Sequence, residues 1–246
     1  MSTREQFLGR IRAQMARTPA LFPAVPSLRP AHPREVAETI QRELSERWPA
    51  TLARFQQEFE RVGGVLHRVA SVHEVPAVIG RLARERDAKS VVSWHPSALG
   101  FDPAPGLAGE ELACHAMPSE LPDLERRRAL RETIASTPLG LTGVDVVLAE
   151  TGTMILRSGP GRPRSTSLLP ATHVAVFDRT VLVESLAQVG VLLEALHVDP
   201  ARSMSGAMIN FITGPSRTAD IELTLTRGVH GPKEVHAIFV EQPIRG

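Results

Sequence analysis

From Gly63 onward the chain alternates short apolar runs with amphipathic helical ones, and that rhythm leaves few folds open. Gly64 to Ala70 reads as a strand, Val72 to Arg86 as a helix and Ser90 to Trp94 as a short buried strand. Leu121 to Ser136 and Ser185 to Leu196 read as further helices. Val144 to Leu148, Thr153 to Leu156, Thr172 to Phe177, Thr180 to Glu184, Ala207 to Ile212 and Val235 to Glu241 read as further strands. Short apolar strands separated by helices are expected to form an open, mainly parallel sheet flanked by helices, an α/β fold. Pro103 to Pro122 follows neither period and reads as an irregular connection.

The first quarter has a different character. Arg4 to Arg17 is an amphipathic helix with Phe7, Leu8, Ile11 and Met15 on one face. Five prolines between Pro19 and Pro33 make the next stretch an extended arm, and Arg34 to Val62 is helical with a break near Trp48-Pro49. Phe55 and Phe59 form an i, i+4 pair there. The expected organisation is an N-terminal helical arm and cover over 1–62 and an α/β domain over 63–246. The arm either covers the core, the preferred use, or reaches a partner subunit, which leaves a homo-oligomer open.

Composition excludes several functions. Lys+Arg and Asp+Glu number 28 and 27, so there is no electrostatic footprint for nucleic acid. The single Cys114 can neither close an internal disulfide nor hold an iron–sulfur cluster, which needs about four thiolates. It reads as a partly buried structural thiol. The nine histidines show no metal-ligand spacing, and neither a P-loop nor a Rossmann fingerprint occurs, so no metal and no cofactor is expected. No run spans a bilayer and the charged N-terminus is no signal peptide, which makes the cytoplasm the default compartment.

What remains is the inventory of an anion site, concentrated between Ile212 and Pro232. Gly214-Pro215-Ser216 turns the chain after an apolar strand, exposing backbone N–H groups. Ser216 and Thr218 add hydroxyls, Arg217 a planar cation and Asp220 a carboxylate. Ile221, Leu223 and Leu225 alternate with polar residues as in a strand, while the Ile221/Leu225 pair and Gly228 keep a helix open. A structural turn is the competing account of the whole stretch. Glu150, with Thr151 and Gly152, joins two apolar strands, where a carboxylate is costly unless it is hydrogen-bonded or reaches a site. It stands as general base, substrate hydroxyl acceptor, anchor for Arg217, or simple turn-fixing residue. In Arg157 to Arg164, Arg162 and Arg164 are secondary anion contacts on a loop able to close over a ligand or to lie solvated. His95, just past the carboxyl end of a strand, is a ligand contact or a structural loop histidine.

Gly214 to Glu222 (GPSRTADIE), Gly228 to Pro232 (GVHGP) and Ala149 to Thr153 (AETGT) together closely resemble the LUD domain of the lactate utilization protein C family (LutC or YkgG). Gly161-Arg162-Pro163-Arg164, Ser167-Leu168-Leu169-Pro170 and His173-Val174 lie between them in the same order. The resemblance is dense from about Leu141 to Val240. It implies a fold of the NagB/RpiA/CoA-transferase-like group, with a helix rather than a strand after Thr218. It further implies a subunit of an L-lactate oxidation system that works with iron–sulfur-type partner subunits. From the residue chemistry above, Glu150 and Asp220 are the expected catalytic residues. Gly214, Ser216, Arg217, Thr218, Thr151, Gly152, Arg162, Arg164 and His95 are the expected contacts to a small anionic ligand. The alternative is a stand-alone enzyme acting on a phosphorylated or nucleotide-linked small molecule, which turnover without partners would reveal.

Overall fold

In the computed structural model of the chain, residues 4–17, 30–120, 122–197, 208–219, 225–227 and 230–244 are described. Prolines open several of its helices, because a missing N–H costs nothing in a first turn. Helix α2 (Pro33–Glu46) starts on Pro33, α3 (Trp48–Arg61) carries Pro49 in its first turn and α4 (Val75–Glu85) carries Pro76. Arg47 separates α2 from α3 with φ −102° and ψ 13°, at the expected break. The preceding helix α1 (Arg4–Arg17) leaves Phe7 and Ile11 57% and 41% exposed, so these two side chains do not join the core. Most of the proline-rich arm and the side chain of Met15 lie outside the described residues.

The central sheet comprises β1 (Val65–Val69), β2 (Ser90–Ser93), β3 (Ala113–Ala116), β4 (Leu139–Gly143), β7 (Thr172–Asp178) and β12 (Glu234–Val240). Its order is β1-β12-β7-β4-β2-β3 and every neighbouring pair is parallel, as the apolar strand–helix rhythm predicts. A smaller mixed sheet, β8-β5-β6-β9, is formed by β8 (Leu182–Val183), β5 (Val146–Leu148), β6 (Thr153–Arg157) and β9 (Ile209–Ile212). The chain enters it directly from β4, through Val144 and Asp145.

Phe55 and Phe59 of α3 drive the helix onto the sheet. They stack at 5.1 Å, Phe55 meets Phe177 edge-on at 5.5 Å, and Phe177 lies 5.6 Å from Phe239. All four are fully or almost fully buried, and burying each such ring contributes about 1.5–3 kcal/mol. A second core joins the small sheet to α2 and α9 (Leu186–His197) through Ala37, Leu44, Ile155, Val183, Val189 and Leu192.

Several expectations need correction. Pro103 to Pro122 is not irregular: it holds α6 (Ala104–Gly109) and β3, both too short to show a period. Leu139–Gly143 is a strand in its own right, ending where the sequence suggested the next one began. Thr180 to Glu184 yields a 3-10 turn over Arg179–Val181 and only two strand residues. Among the described residues the segment after Thr218 is strand where a helix was implied: β10 (Arg217–Ala219) pairs antiparallel with β11 (Leu225–Arg227). Strand structure at Arg217–Ala219 and Leu225–Arg227 agrees with the strand-like alternation there, while Ile221 to Thr224 lie outside the described residues. Among the described residues, no helix is long and apolar enough to cross a membrane.

Candidate functional site

The expected site residues fall into two groups at opposite ends of the parallel sheet. Around the C-terminus of α3, beside the amino ends of β1 and β12, sit Glu150 to Gly152 and Gly214 to Arg217. The Arg217 guanidinium donates to the carbonyl of Val62, which caps α3. It lies over Gly63, where a Cβ would come within 2.8 Å of it. A cation is favoured there by the carbonyl end of the helix. Ser216 N–H donates to Pro232 O at 2.9 Å, and Gly214 (φ +123°) turns against Val62. Gly152 has φ +63°, and a Cβ on it would stand 2.4 Å from the backbone nitrogen of Phe59, so only glycine lets this turn approach α3. Thr151 bonds Thr153 at 2.7 Å and Thr153 bonds Thr213 at 2.8 Å, tying the two turns together. Glu150 is exposed, and its carboxylate accepts from Leu186 N–H at 2.8 Å, at the start of α9. Asp220 and the side chain of Thr218 lie outside the described residues.

At the carboxyl ends of the strands there is a cavity of about 700 Å³. It is the place where open parallel sheets bind ligands. Its floor is built from residues at or just past the ends of β2, β4 and β7, including Trp94, Val144, Asp145 and Asp178. Asp178 Oδ1 accepts from Thr180 N–H at 2.7 Å and Oδ2 from Ile244 N–H at 2.6 Å, which pins the segment after β12 across the strand ends. Asp145 organises the charge. Its carboxylate accepts from Arg157 N at 2.7 Å, from Arg157 Nε at 3.1 Å and from Arg162 Nη1 at 3.1 Å. The three side chains are only 15–18% exposed, so two guanidiniums are held beside one carboxylate with little water between them.

The loop carrying Arg162 is not free to swing. Gly159 and Arg162 form a bridge, His95 N–H donates to Gly161 O at 2.7 Å, and Trp94 Nε1 donates to Pro163 O at 3.3 Å. Arg162 and His95 therefore meet as one unit, although the His95 ring turns to Ser97 Oγ at 2.8 Å. Arg164 is exposed at the start of α8 (Ser165–Leu168) and is not among the residues lining the cavity. Asp145, Arg157 and Arg34 also line the cavity and were not among the expected contacts. A signal for the first was available: a single acid inside the run Leu141 to Leu148 requires a buried partner.

A second polar cluster lies on the sheet face that carries α4. His67 Nε2 and His236 Nδ1 are 3.0 Å apart, and Arg81 Nη2 reaches His67 Nδ1 at 3.3 Å. One imidazole donates to the other across the His67–His236 contact, and Arg86 Nη2 and Glu234 Oε2 both lie 3.5 Å from His236 Nε2. Burial first, then the neighbouring His236 and Arg81, lower the His67 pKa to about 4. On the other face His173 is fully buried beside Thr142 Oγ1 at 2.8 Å, and burial lowers its pKa to about 3. Burial also raises the pKa of Cys114, whose thiol lies 3.5 Å from Ser93 Oγ, as befits a structural thiol. Among the described residues no group of three or more His, Cys, Asp or Glu is arranged to hold a metal ion.

A parallel sheet with its cavity at the strand ends places the chain among α/β ligand-binding folds, and comparison with known proteins makes this specific. Residues 52–240 match the LUD domain, and the chain belongs to that family. It is 35% identical over 172 residues to lactate utilization protein C of Halalkalibacterium halodurans, covering 69% of this chain and 70% of the relative. The protein of the same name from Oceanobacillus iheyensis is 30% identical over 70% of this chain and 72% of its own. That from Exiguobacterium sp. is 40% identical over 48% of this chain and 50% of its own. Its fold is similar to that of a DUF162 family protein from Deinococcus radiodurans, known from a crystal structure. That match has a TM-score of 0.52 and 21% identity, covering 78% of this chain and 97% of that one.

Proposed function

We propose that this chain serves the oxidation of L-lactate to pyruvate as a subunit without an iron–sulfur cluster of its own. It works with iron–sulfur-type partner subunits and binds an anionic ligand at the arginine pair fixed by Asp145. The observation that carries the role is the 35% identity to a lactate utilization protein C across 69% of the chain. The single cysteine supports the division of labour, because a cluster needs about four thiolates and electrons must then travel through partners. The anion is held where Arg157 and Arg162 share one carboxylate, two guanidiniums to one Asp145 within that triad. In this account Arg217, engaged with the Val62 carbonyl, and Gly152, pressed on α3, clasp the domain together.

The test is L-lactate-dependent dye reduction in extracts of a strain lacking this chain, with purified protein added back. Wild type restores the rate, and Arg162→Ala, first shown to melt like wild type, restores less than about a tenth of it. Undiminished lactate oxidation in the deletion strain, with no second copy of the gene, would end the proposal. Full rescue by Arg162→Ala would keep the role and move the anion elsewhere, with Ser216, Arg217 and Asp220 the next residues to substitute.

A further inference from the structure

One wall of the cavity comes from outside the matched domain. The LUD domain match begins at residue 52, whereas α2 ends at Glu46. Arg34, Ala37, Glu38 and Gln41 recur at i, i+3, i+4 and i+7 and so form a single stripe, and all four line the cavity. Of the four only Ala37 is buried, and α2 is held to the second core by Ala37, Ile40 and Leu44. The rest of the stripe is polar: Arg34 and Glu38 are exposed and Gln41 is half-buried where they border the cavity. An amphipathic helix whose cavity-side stripe carries a cation, a carboxylate and an amide is shaped for recognition.

Size narrows the ligand. A three-carbon hydroxy acid occupies on the order of four water volumes, ~100 Å³. The cavity holds about 700 Å³, within the range that encloses most of a cofactor-sized molecule. Between the arginine pair and the α2 stripe its walls include Val144, Val181 and Leu196, half-buried side chains that offer apolar surface. We propose that the cavity takes an organic anion of nucleotide size. Its phosphate or carboxylate sits on Arg157 and Arg162, its body lies on the apolar wall, and Glu38 and Gln41 meet a hydrogen-bonding group on that body. Helix α2 is thereby the specificity element. The proposal rests on the anion reading of this cavity and is independent of the lactate role.

A graded series of phosphates, titrated calorimetrically into the full chain, separates these ideas: inorganic phosphate, glycerol 3-phosphate, ribose 5-phosphate and AMP. Affinity should rise along the series, with AMP binding one to one and at least about tenfold tighter than phosphate. Arg162→Ala should weaken all four. Gln41→Ala and Ala195→Trp, the latter filling the cavity from α9, should weaken AMP by about tenfold and leave phosphate unchanged. Equal affinity for all four, or AMP binding untouched by both substitutions, would overturn the size and α2 assignments while leaving the anion site standing. No binding of any phosphate would overturn the anion site itself and this proposal with it. Lactate-dependent dye reduction would then still judge the metabolic role alone.

Discussion

Asp145 is a lone carboxylate in an apolar run, tolerated because Arg157 and Arg162 surround it. Removing it strands two guanidiniums that are 17–18% exposed. Asp145→Ala is therefore expected to cost about 3 kcal/mol in urea denaturation, where a solvated surface pair would cost under about 1 kcal/mol. His173 offers a second residue-scale test. Its folded pKa of about 3 lies below the ordinary 6.5, so the unfolded chain takes up the proton first as pH falls. The native state has its full stability above pH 6.5 and loses it on acidification toward 3, at a slope approaching about 1.4 kcal/mol per pH unit. Unfolding free energies at pH 6.5 and 5, above most carboxylate titration, should show the slope shrink by about one proton in His173→Gln. His67 is shifted the same way, and its share of the slope should persist in that variant.

At the scale of elements, the turns around α3 explain why AETGT and GPSR stand out in the sequence. Gly152→Ala drives a Cβ into the Phe59 backbone at a positive φ. It should cost about 3 kcal/mol or more by denaturation. Arg217→Ala removes one helix cap and should cost about 1 kcal/mol. Elements of strong period were legible: α3 with Phe55 and Phe59, β2 and β12 follow from apolar spacing alone. Short ones were not, because α6 and β3 span six and four residues, less than two turns or one clear alternation. The pairing of β10 with β11 shows the opposite lesson, since the described residues on either side of 220–224 are strand where family resemblance implied a helix.

At the scale of the molecule, the parallel architecture was readable because strands buried on both faces leave no other arrangement for an alternating chain. The cavity was only half readable. Arg162 and His95 were visible as a basic loop and a residue after a strand. The meeting of Arg162 with Asp145, and its place beside Arg157 and α2 around the cavity, depends on how β4 hands the chain to the small sheet, a tertiary fact with no local signature, and His95 is not among the lining residues. The most direct measurement sets the two ends of the sheet against each other. Arg162→Ala and Arg217→Ala, matched for folded fraction, are added to extracts lacking the chain and lactate-dependent dye reduction is compared. The account predicts that the Arg162 variant falls below about a tenth of the wild-type rate while the Arg217 variant retains most of it. Loss with Arg217→Ala and full rescue by Arg162→Ala would place the working site at the α3 clasp and contradict the assignment made to the cavity.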